Sequence, residues 1–183
     1  NSQSRGFEES LRRMNIPYKI RGGMSFYQRK EIKDILAYVR LVVNKKDDEA
    51  LFRIINYPTR GIGDVTKENI RLAAQQANVS MWEVIDQAAK QAKVLAFRDL
   101  IVELTELSNR ADALTVLREI ATRSGIIGQF SMNRTPENIS VLENIDELIN
   151  SAKAFIDSEN DDEMKVEKRV TLSDWLENVS LMT

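Results

Sequence analysis

Apolar side chains recur every three to four positions along almost the whole chain, a period that places them on one face of an α-helix. The longest stripe is Ile32, Ile35, Leu36, Val39, Val42 and Val43. Further helices are predicted at residues 49–56, 64–77, 80–88, 92–108, 112–124, 136–158 and 172–181. Only Tyr18-Lys19-Ile20, between Pro17 and Gly22-Gly23, has the character of an extended segment. The pattern predicts an all-α, compact multi-helix domain with one short extended segment near the N-terminus.

Several predicted helix starts carry capping signals. Ser80 with Glu83 and Thr171 with Asp174 stand at the spacing of a capping box, and Thr135 precedes a proline. Residues 159–163 contain no apolar side chain and four acids, so a solvated, mobile loop is predicted there. A bound cation is the less favoured alternative, because the stretch lacks the glycine and ligand spacing of a calcium loop.

The composition limits the chemistry that the chain can perform. It contains no cysteine and no histidine, which excludes thiolate nucleophiles, imidazole bases, disulfides and the usual zinc ligands. No apolar run reaches the ~20 residues that cross a bilayer, and no signal sequence opens the chain. We therefore expect a cytoplasmic protein with no membrane partner. The chain starts without methionine and stops within a helical pattern, so we expect it to be a piece of a longer protein.

Charge is segregated along the chain although the net charge is only −2. Residues 1–40 hold nine Lys and Arg against four Asp and Glu, whereas residues 134–183 hold five against twelve. The molecule as a whole has no field that attracts nucleic acid. Any nucleic acid would have to bind a local basic patch.

The most unusual segment is the loop at residues 56–66, which contains Gly61-Ile62-Gly63 between two predicted helices. The glycines allow close backbone approach, while Ile62 can anchor the turn in the core. Free amides at the next helix start, with Arg60 and Lys67 nearby, predict a seat for one phosphate. Such a contact positions a nucleic-acid backbone and reads no bases. The alternative is that Gly-Ile-Gly only ends one helix and begins the next, and the spacing leaves both open.

Two further segments are secondary candidates, with Arg123, Ser124 and Gly125 in the first and Phe26, Tyr27 and Arg29 in the second. In the first segment, as in the loop at residues 56–66, two glycines flank apolar residues and a basic residue, Arg123, lies nearby. The second lies in a basic stretch before a long helix, so contact with single-stranded DNA is one interpretation. The alternative is that its aromatics pack over the helix start while its cations form a solvated face.

The sequence contains no machinery for ATP hydrolysis. It has no Gly-x-x-x-x-Gly-Lys-Ser/Thr loop, no apolar strand that ends in paired acids, and no nucleophile beside a base. We therefore assign no catalytic residue, no metal ligand and no cofactor to this chain.

Five segments together resemble the UvrD/PcrA/Rep family of bacterial superfamily-one helicases. They are Asn1-Ser2-Gln3-Ser4-Arg5; Asn15-Ile16-Pro17-Tyr18 before Gly22-Gly23; Phe26-Tyr27 with Arg29-Lys30-Glu31-Ile32-Lys33-Asp34; Tyr57-Pro58-Thr59-Arg60-Gly61-Ile62-Gly63; and Glu143-Asn144-Ile145-Asp146-Glu147-Leu148. Their order and spacing match the second half of that family, with Ser2 in place of its alanine. The similarity spans nearly the whole chain and is weakest over residues 87–131.

The resemblance implies a division of the chain. Residues 1–34 would derive from the second motor domain (2A) with its transition helix, and residues 35–183 would form the helical 2B subdomain, whose helix–loop–helix elements touch duplex DNA. The expected duplex contacts, with the loop chemistry above, are Thr59, Arg60, Gly61, Ile62, Gly63, Thr66 and Lys67. Asn1 resembles an asparagine that lies near the single strand in the family.

The implied function is an accessory, regulatory DNA-binding part of an ATP-dependent 3′-to-5′ DNA helicase in repair or replication. ATP and Mg would be bound by the parent protein outside this chain. The expected partners are a junction of double- and single-stranded DNA, the remaining motor domains 1A, 1B and 2A, and repair proteins. The alternative is a protein-interaction or autoinhibitory module with little direct DNA binding, which the acidic C-terminal half favours.

Overall fold

The structure is a computed structural model that describes residues 23–88, 90–161 and 166–183. In these ranges the chain forms helices and no strand, which confirms the all-α prediction. The helices are α1 (Gly23–Tyr27), α2 (Lys30–Val43), α3 (Asp48–Ile54), α4 (Asp64–Ala77), α5 (Met81–Ala88), α6 (Ala92–Ser108), α7 (Ala113–Arg123), α8 (Ile126–Ser131), α9 (Pro136–Asn160) and α10 (Leu172–Ser180). None of the helices described is long and apolar enough to cross a membrane. The predicted extended segment Tyr18-Lys19-Ile20 lies outside the described residues.

Helix α2 is the centre of the fold and packs against α1, α3, α6, α7, α9 and α10. Its fully buried side chains include Ile32, Ile35, Tyr38, Val39 and Leu41. Consecutive buried positions such as 38 and 39 point to different sides of a helix, so α2 is apolar well beyond a single stripe. A helix of that kind is stable only when other elements surround it.

A buried carboxylate ties the start of α2 to α3. Asp34 is 3% exposed, and it pairs with Lys30 Nζ at 2.9 Å and with Arg53 Nε at 2.8 Å. Two cations compensate the removal of this charge from water, which a single exposed pair would not do. Helix α2 is continuous from Lys30 to Val43, so it crosses residue 34, the last residue of the expected motor-domain segment, without a break.

Helices α4 and α5 form a peripheral pair. Helix α4 packs chiefly on α5, and its buried residues are Ile70 and Ala74. It begins after Gly63 without a side-chain cap and ends at Asn78, whose φ of 55° is left-handed. Because most of α4 is exposed, the loop that precedes it is presented at the surface of the molecule.

The predicted caps form to different extents. At α10 the capping box is complete, since Asp174 N donates to Thr171 Oγ1 at 3.1 Å and Thr171 N donates to Asp174 Oδ2 at 2.9 Å. The backbone bond from Thr171 lowers the pKa of Asp174 below its ordinary value. Thr135 caps α9 before its first-turn proline. At α5 the Ser80 N–H donates to Glu83 Oε2 at 2.9 Å, which is one half of a box.

The structure differs from the sequence predictions at three places. Helix α1 was not predicted, because its five residues are too few for periodicity to identify. Helix α8 was not predicted, because six residues after a glycine are too few for periodicity to identify; its burial of Ile126 holds it in place. The predicted loop at 159–163 is wrong at Glu159 and Asn160, which form the last turn of α9. Asn160 Oδ1 accepts a hydrogen bond from Lys168 N at 3.1 Å, which supports that turn. Residues 162 and 163 lie outside the described residues.

Candidate nucleic-acid interface

The loop between α3 and α4, residues 56–63, is called the Gly61 loop here. Its backbone is closed by the side chain of Asn56, whose Oδ1 accepts from Arg60 N at 2.9 Å and from Ile62 N at 3.0 Å. Ile62 is fully buried and anchors the turn in the core, as the sequence predicted. One carboxamide therefore binds the amides on both sides of Gly61, which fixes the loop's shape.

The guanidinium of Arg60 points into the molecule. Its Nη1 donates to the carbonyl oxygens of Tyr57 at 2.8 Å, Pro58 at 3.1 Å and Ile54 at 3.3 Å; its Nη2 donates to Tyr38 Oη at 2.6 Å and to Ser124 O at 2.9 Å. The carbon between these nitrogens lies 5.4 Å from the ring centroid of Phe97. The N–H groups of Arg60 thus donate to acceptors of the protein itself, and these hydrogen bonds hold the loop from its inner side.

Tyr38 completes this arrangement from the central helix. Its hydroxyl accepts from Arg60 and donates to the carbonyl oxygen of Tyr57. Burial raises the pKa of Tyr38 to about 12, even though the neighbouring guanidinium acts in the opposite direction. The hydroxyl therefore keeps its proton at neutral pH and remains a donor to the loop.

The second glycine-containing segment lies against the first. Residues 124–126, which lead from the end of α7 into the first residue of α8, are called the Gly125 turn here. They supply the Ser124 carbonyl that Arg60 binds. Gly125 has a φ of 90°, and a Cβ placed on it would lie 3.7 Å from Pro58 Cγ. Ser124 is 4% exposed, while Arg123 points outward to pair with Glu103. Two segments more than 60 residues apart are thus joined by one guanidinium.

The two glycines of the Gly61 loop have different surroundings. Gly61 has a φ of 75°, which favours glycine, and a Cβ there would overlap the amine of Lys93 and lie 3.3 Å from its Cε. Gly63 has a φ of −72°, and a Cβ there would meet no heavy atom within 4 Å. The surface beside Gly63 is therefore open, whereas Lys93 from α6 covers Gly61.

The remaining predicted contacts surround the start of α4. Thr59 is exposed in the loop. Thr66 Oγ1 accepts from Gln91 Nε2 at 3.2 Å, which brings the start of α6 beside the start of α4. The Lys67 amine lies 4.3 Å above the ring of Phe52 on α3. The sequence analysis named Thr66 and Lys67 as expected duplex contacts, but it did not single out Asn56, Gln91 or Lys93.

The secondary candidates near α1 contact other parts of the molecule. Phe26 and Tyr27 meet edge to face, with centroids 5.2 Å apart, and Tyr27 is 8% exposed. Arg29 donates to Asn144 on α9 and stacks 5.7 Å from the Phe26 ring. These contacts match the packing alternative, in which the aromatics cover the helix start. Asn1 lies outside the described residues.

Lys45 is the lysine whose pKa burial lowers most clearly, and it lies away from the Gly61 loop. The amine of Lys45 donates to Val42 O at 3.1 Å and to Thr105, and it lies 5.5 Å from the ring of Trp82. Burial lowers its pKa from 10.5 to about 8. Lys45 thus closes the end of α2 and bridges it to α6.

Comparison with known proteins identifies relatives of the whole segment. A profile of the UvrD-like helicase C-terminal domain matches residues 1–183. The chain is 37% identical over 173 residues to DNA helicase II of Haemophilus influenzae, covering 90% of this chain and 24% of that protein. It is 37% identical over 162 residues to the ATP-dependent DNA helicase PcrA of Staphylococcus aureus, covering 85% of this chain and 22% of that protein. The chain thus spans about a quarter of the length of these relatives, and it belongs to the UvrD-like helicase C-terminal domain family.

Proposed function

We propose that this chain is the 2B subdomain, with a preceding 2A segment, of an ATP-dependent 3′-to-5′ DNA helicase, and that it grips duplex DNA through the Gly61 loop. Residues 1–34 would belong to the motor side and residues 35–183 to the subdomain. ATP and Mg would be bound elsewhere in the parent protein, whose remaining motor domains and a junction of duplex and single-stranded DNA are the partners. The names of the two relatives, DNA helicase II and ATP-dependent DNA helicase PcrA, support the proposal that the parent protein is a DNA helicase.

The observation that carries this proposal is the fixed, outward-facing backbone at the start of α4. Asn56, Arg60 and Ile62 hold the turn from inside, and the space beside Gly63 is open. The first amides of α4 have no side-chain cap at Gly63. A phosphate could therefore approach these amides at the positive end of the helix dipole without any rearrangement.

A grip of this kind would be independent of base sequence and sensitive to salt. Backbone amides and lysines contact phosphate oxygens, which are the same at every base pair. Each phosphate neutralised releases condensed counterions, so affinity falls as salt rises. Asp64, exposed in the first turn of α4, opposes phosphate binding and would keep the affinity modest.

The test compares glycine-to-alanine variants at two open positions. Gly63→Ala adds a methyl group where the phosphate would approach, so we expect reduced affinity for a duplex with a single-stranded tail, measured by fluorescence anisotropy at low salt. Stability should change by no more than about 1 kcal/mol, because no atom opposes the methyl group and only the helix cap is affected. Gly128→Ala is the matched control, since a Cβ there also meets nothing within 4 Å.

The outcomes separate clearly. Loss of duplex affinity in Gly63→Ala, with Gly128→Ala binding like the parent, supports a phosphate grip at the Gly61 loop. Equal binding by all three proteins excludes that loop as the contact. Absence of duplex binding by the parent chain at low salt contradicts the proposed grip itself.

A second candidate function is docking of a partner protein or restraint of the motor. Helix α9 favours it, because its exposed surface carries Glu137, Glu143, Asp146, Glu147 and Asp157. That surface repels DNA and suits a basic partner. Binding of a basic partner to these acids would also weaken as salt rises, so salt alone does not separate the two functions. Loss of duplex binding in Gly63→Ala supports the grip, whereas a partner held by α9 would bind Gly63→Ala and the parent equally.

A further inference from the structure

The Gly61 loop lacks the cations that its own sequence suggests. Arg60 directs its terminal nitrogens at Tyr38 and at four carbonyl oxygens inside the molecule. Lys67 places its amine over the ring of Phe52, on the side of α3. A positively charged side chain that adds to the amides of α4 would therefore have to come from another element.

Lys93 is the side chain that reaches this surface. It lies in the first turn of α6, 30 residues after Gly63, and its amine covers Gly61 so closely that a Cβ on Gly61 would overlap it. Lys93 is exposed, and no hydrogen bond or ion pair engages its amine within the described ranges. The amine thus lies beside the loop with no acidic partner in the part of the chain that the structure describes.

The position of Lys93 is electrostatically unfavourable without an anion. The first turn of a helix favours acidic side chains because of the helix dipole, yet α6 has no acid there. The Gln91–Thr66 bond brings this turn beside the first turn of α4, where Asp64 is the acidic side chain. A phosphate on the Gly61 loop would be attracted by Lys93 and by both helix starts.

We propose that Lys93 is the lysine that binds the duplex phosphate seated on the Gly61 loop. This inference rests on the proposed duplex grip and extends it to a residue of α6. It also gives Gly61 a second reason to be glycine, since any side chain there would displace the Lys93 amine from the loop.

The test measures how duplex affinity depends on salt. Lys93→Gln removes the charge and nearly preserves the shape, and Lys153→Gln on α9 is the matched control for the loss of one exposed lysine. A lost phosphate contact lowers the slope of log K against log [salt] by about 0.9. The ratio of parent to Lys93→Gln affinity should therefore shrink by about 3.5-fold between about 50 and about 200 mM salt. Circular dichroism checks that each variant is folded.

Each result bears on a different claim. A reduced slope in Lys93→Gln alone supports the proposal. A slope that equals the parent's in Lys93→Gln overturns the role of Lys93 and leaves the duplex grip intact. A parent chain that does not bind duplex overturns the grip and this inference together.

Discussion

Replacing Arg60 with lysine would test whether one guanidinium holds the Gly61 loop and the Gly125 turn together. Lysine keeps the positive charge but presents a single ammonium in place of a planar fork. In the structure one terminal nitrogen of Arg60 is directed at Tyr57 O and the other at Ser124 O. One ammonium cannot occupy both positions, so Arg60→Lys must release at least one of the two segments.

The size of the effect follows from the two bonds that are best formed. Tyr57 O and Ser124 O accept from Arg60 at 2.8 and 2.9 Å. A hydrogen bond to a charged group contributes about 1.5–3 kcal/mol, and a carbonyl left without a partner in a packed turn adds to the cost. We expect Arg60→Lys to lower the free energy of unfolding by about 2–3 kcal/mol. For a domain of this size that corresponds to a Tm lower by about 4–12 °C.

The assay is thermal unfolding followed by far-ultraviolet circular dichroism, together with amide hydrogen exchange of residues 56–63 and 124–126. Arg71→Lys is the control, because Arg71 pairs with Glu68 on the exposed surface of α4. We expect little change in its unfolding midpoint. In Arg60→Lys, exchange should accelerate in both segments, since they share the guanidinium.

The reasoning would be refuted by an Arg60→Lys protein that unfolds at the same temperature as the parent. It would also be refuted if exchange accelerated in residues 56–63 while residues 124–126 kept their protection. Either result would mean that packing of Pro58 on Gly125, and not Arg60, joins the two segments.

Three further predictions concern single sites. Gly61→Ala should destabilise the fold by about 1–2 kcal/mol in urea unfolding, because its φ is positive and the new methyl group displaces Lys93; a neutral effect would contradict both reasons. Asp64→Asn should tighten duplex binding in anisotropy titrations, since it removes the acid beside the proposed phosphate; unchanged affinity would place the phosphate elsewhere. Burial lowers the pKa of Lys45 to about 8, so between that pH and 10.5 the unfolded chain holds a proton that the folded chain has released. Stability should therefore rise with pH across this window, and Lys45→Met, followed by guanidinium unfolding, should lose that rise.

The fold follows from local patterns for the longer helices and not for the shortest. Helices α4, α6 and α9 show clear apolar periodicity, and their starts lie within one residue of the prediction. Helix α8 depends on the burial of Ile126 and on packing against α7 and α9, and no window of six residues contains that information. The capping box at Thr171 was predictable because both of its partners lie within four positions.

The candidate site was predictable as a location but not in the roles of its side chains. The spacing of Gly61 and Gly63 indicates a shaped loop, and Ile62 as the anchor follows from its apolar side chain. The inward direction of Arg60 could not be predicted, because its acceptors include a carbonyl 64 residues away. Lys93 did leave a signal, since a lysine in the first turn of a helix contradicts the usual preference for acids.

Helix α2 also constrains how the molecule can move. It has 14 residues and is therefore about 21 Å long. Helix α2 packs against α1, α3, α6, α7, α9 and α10. A force applied at residues 23–29 would therefore be transmitted to these helices through α2. Helix α1 has ended at Tyr27 and the backbone of Arg29 is extended, so a bend between α1 and α2 would fall at Gln28 and Arg29. The hydrogen bond from Arg29 to Asn144 ties this bend to α9, so a change of angle between α1 and α2 would strain or break that bond.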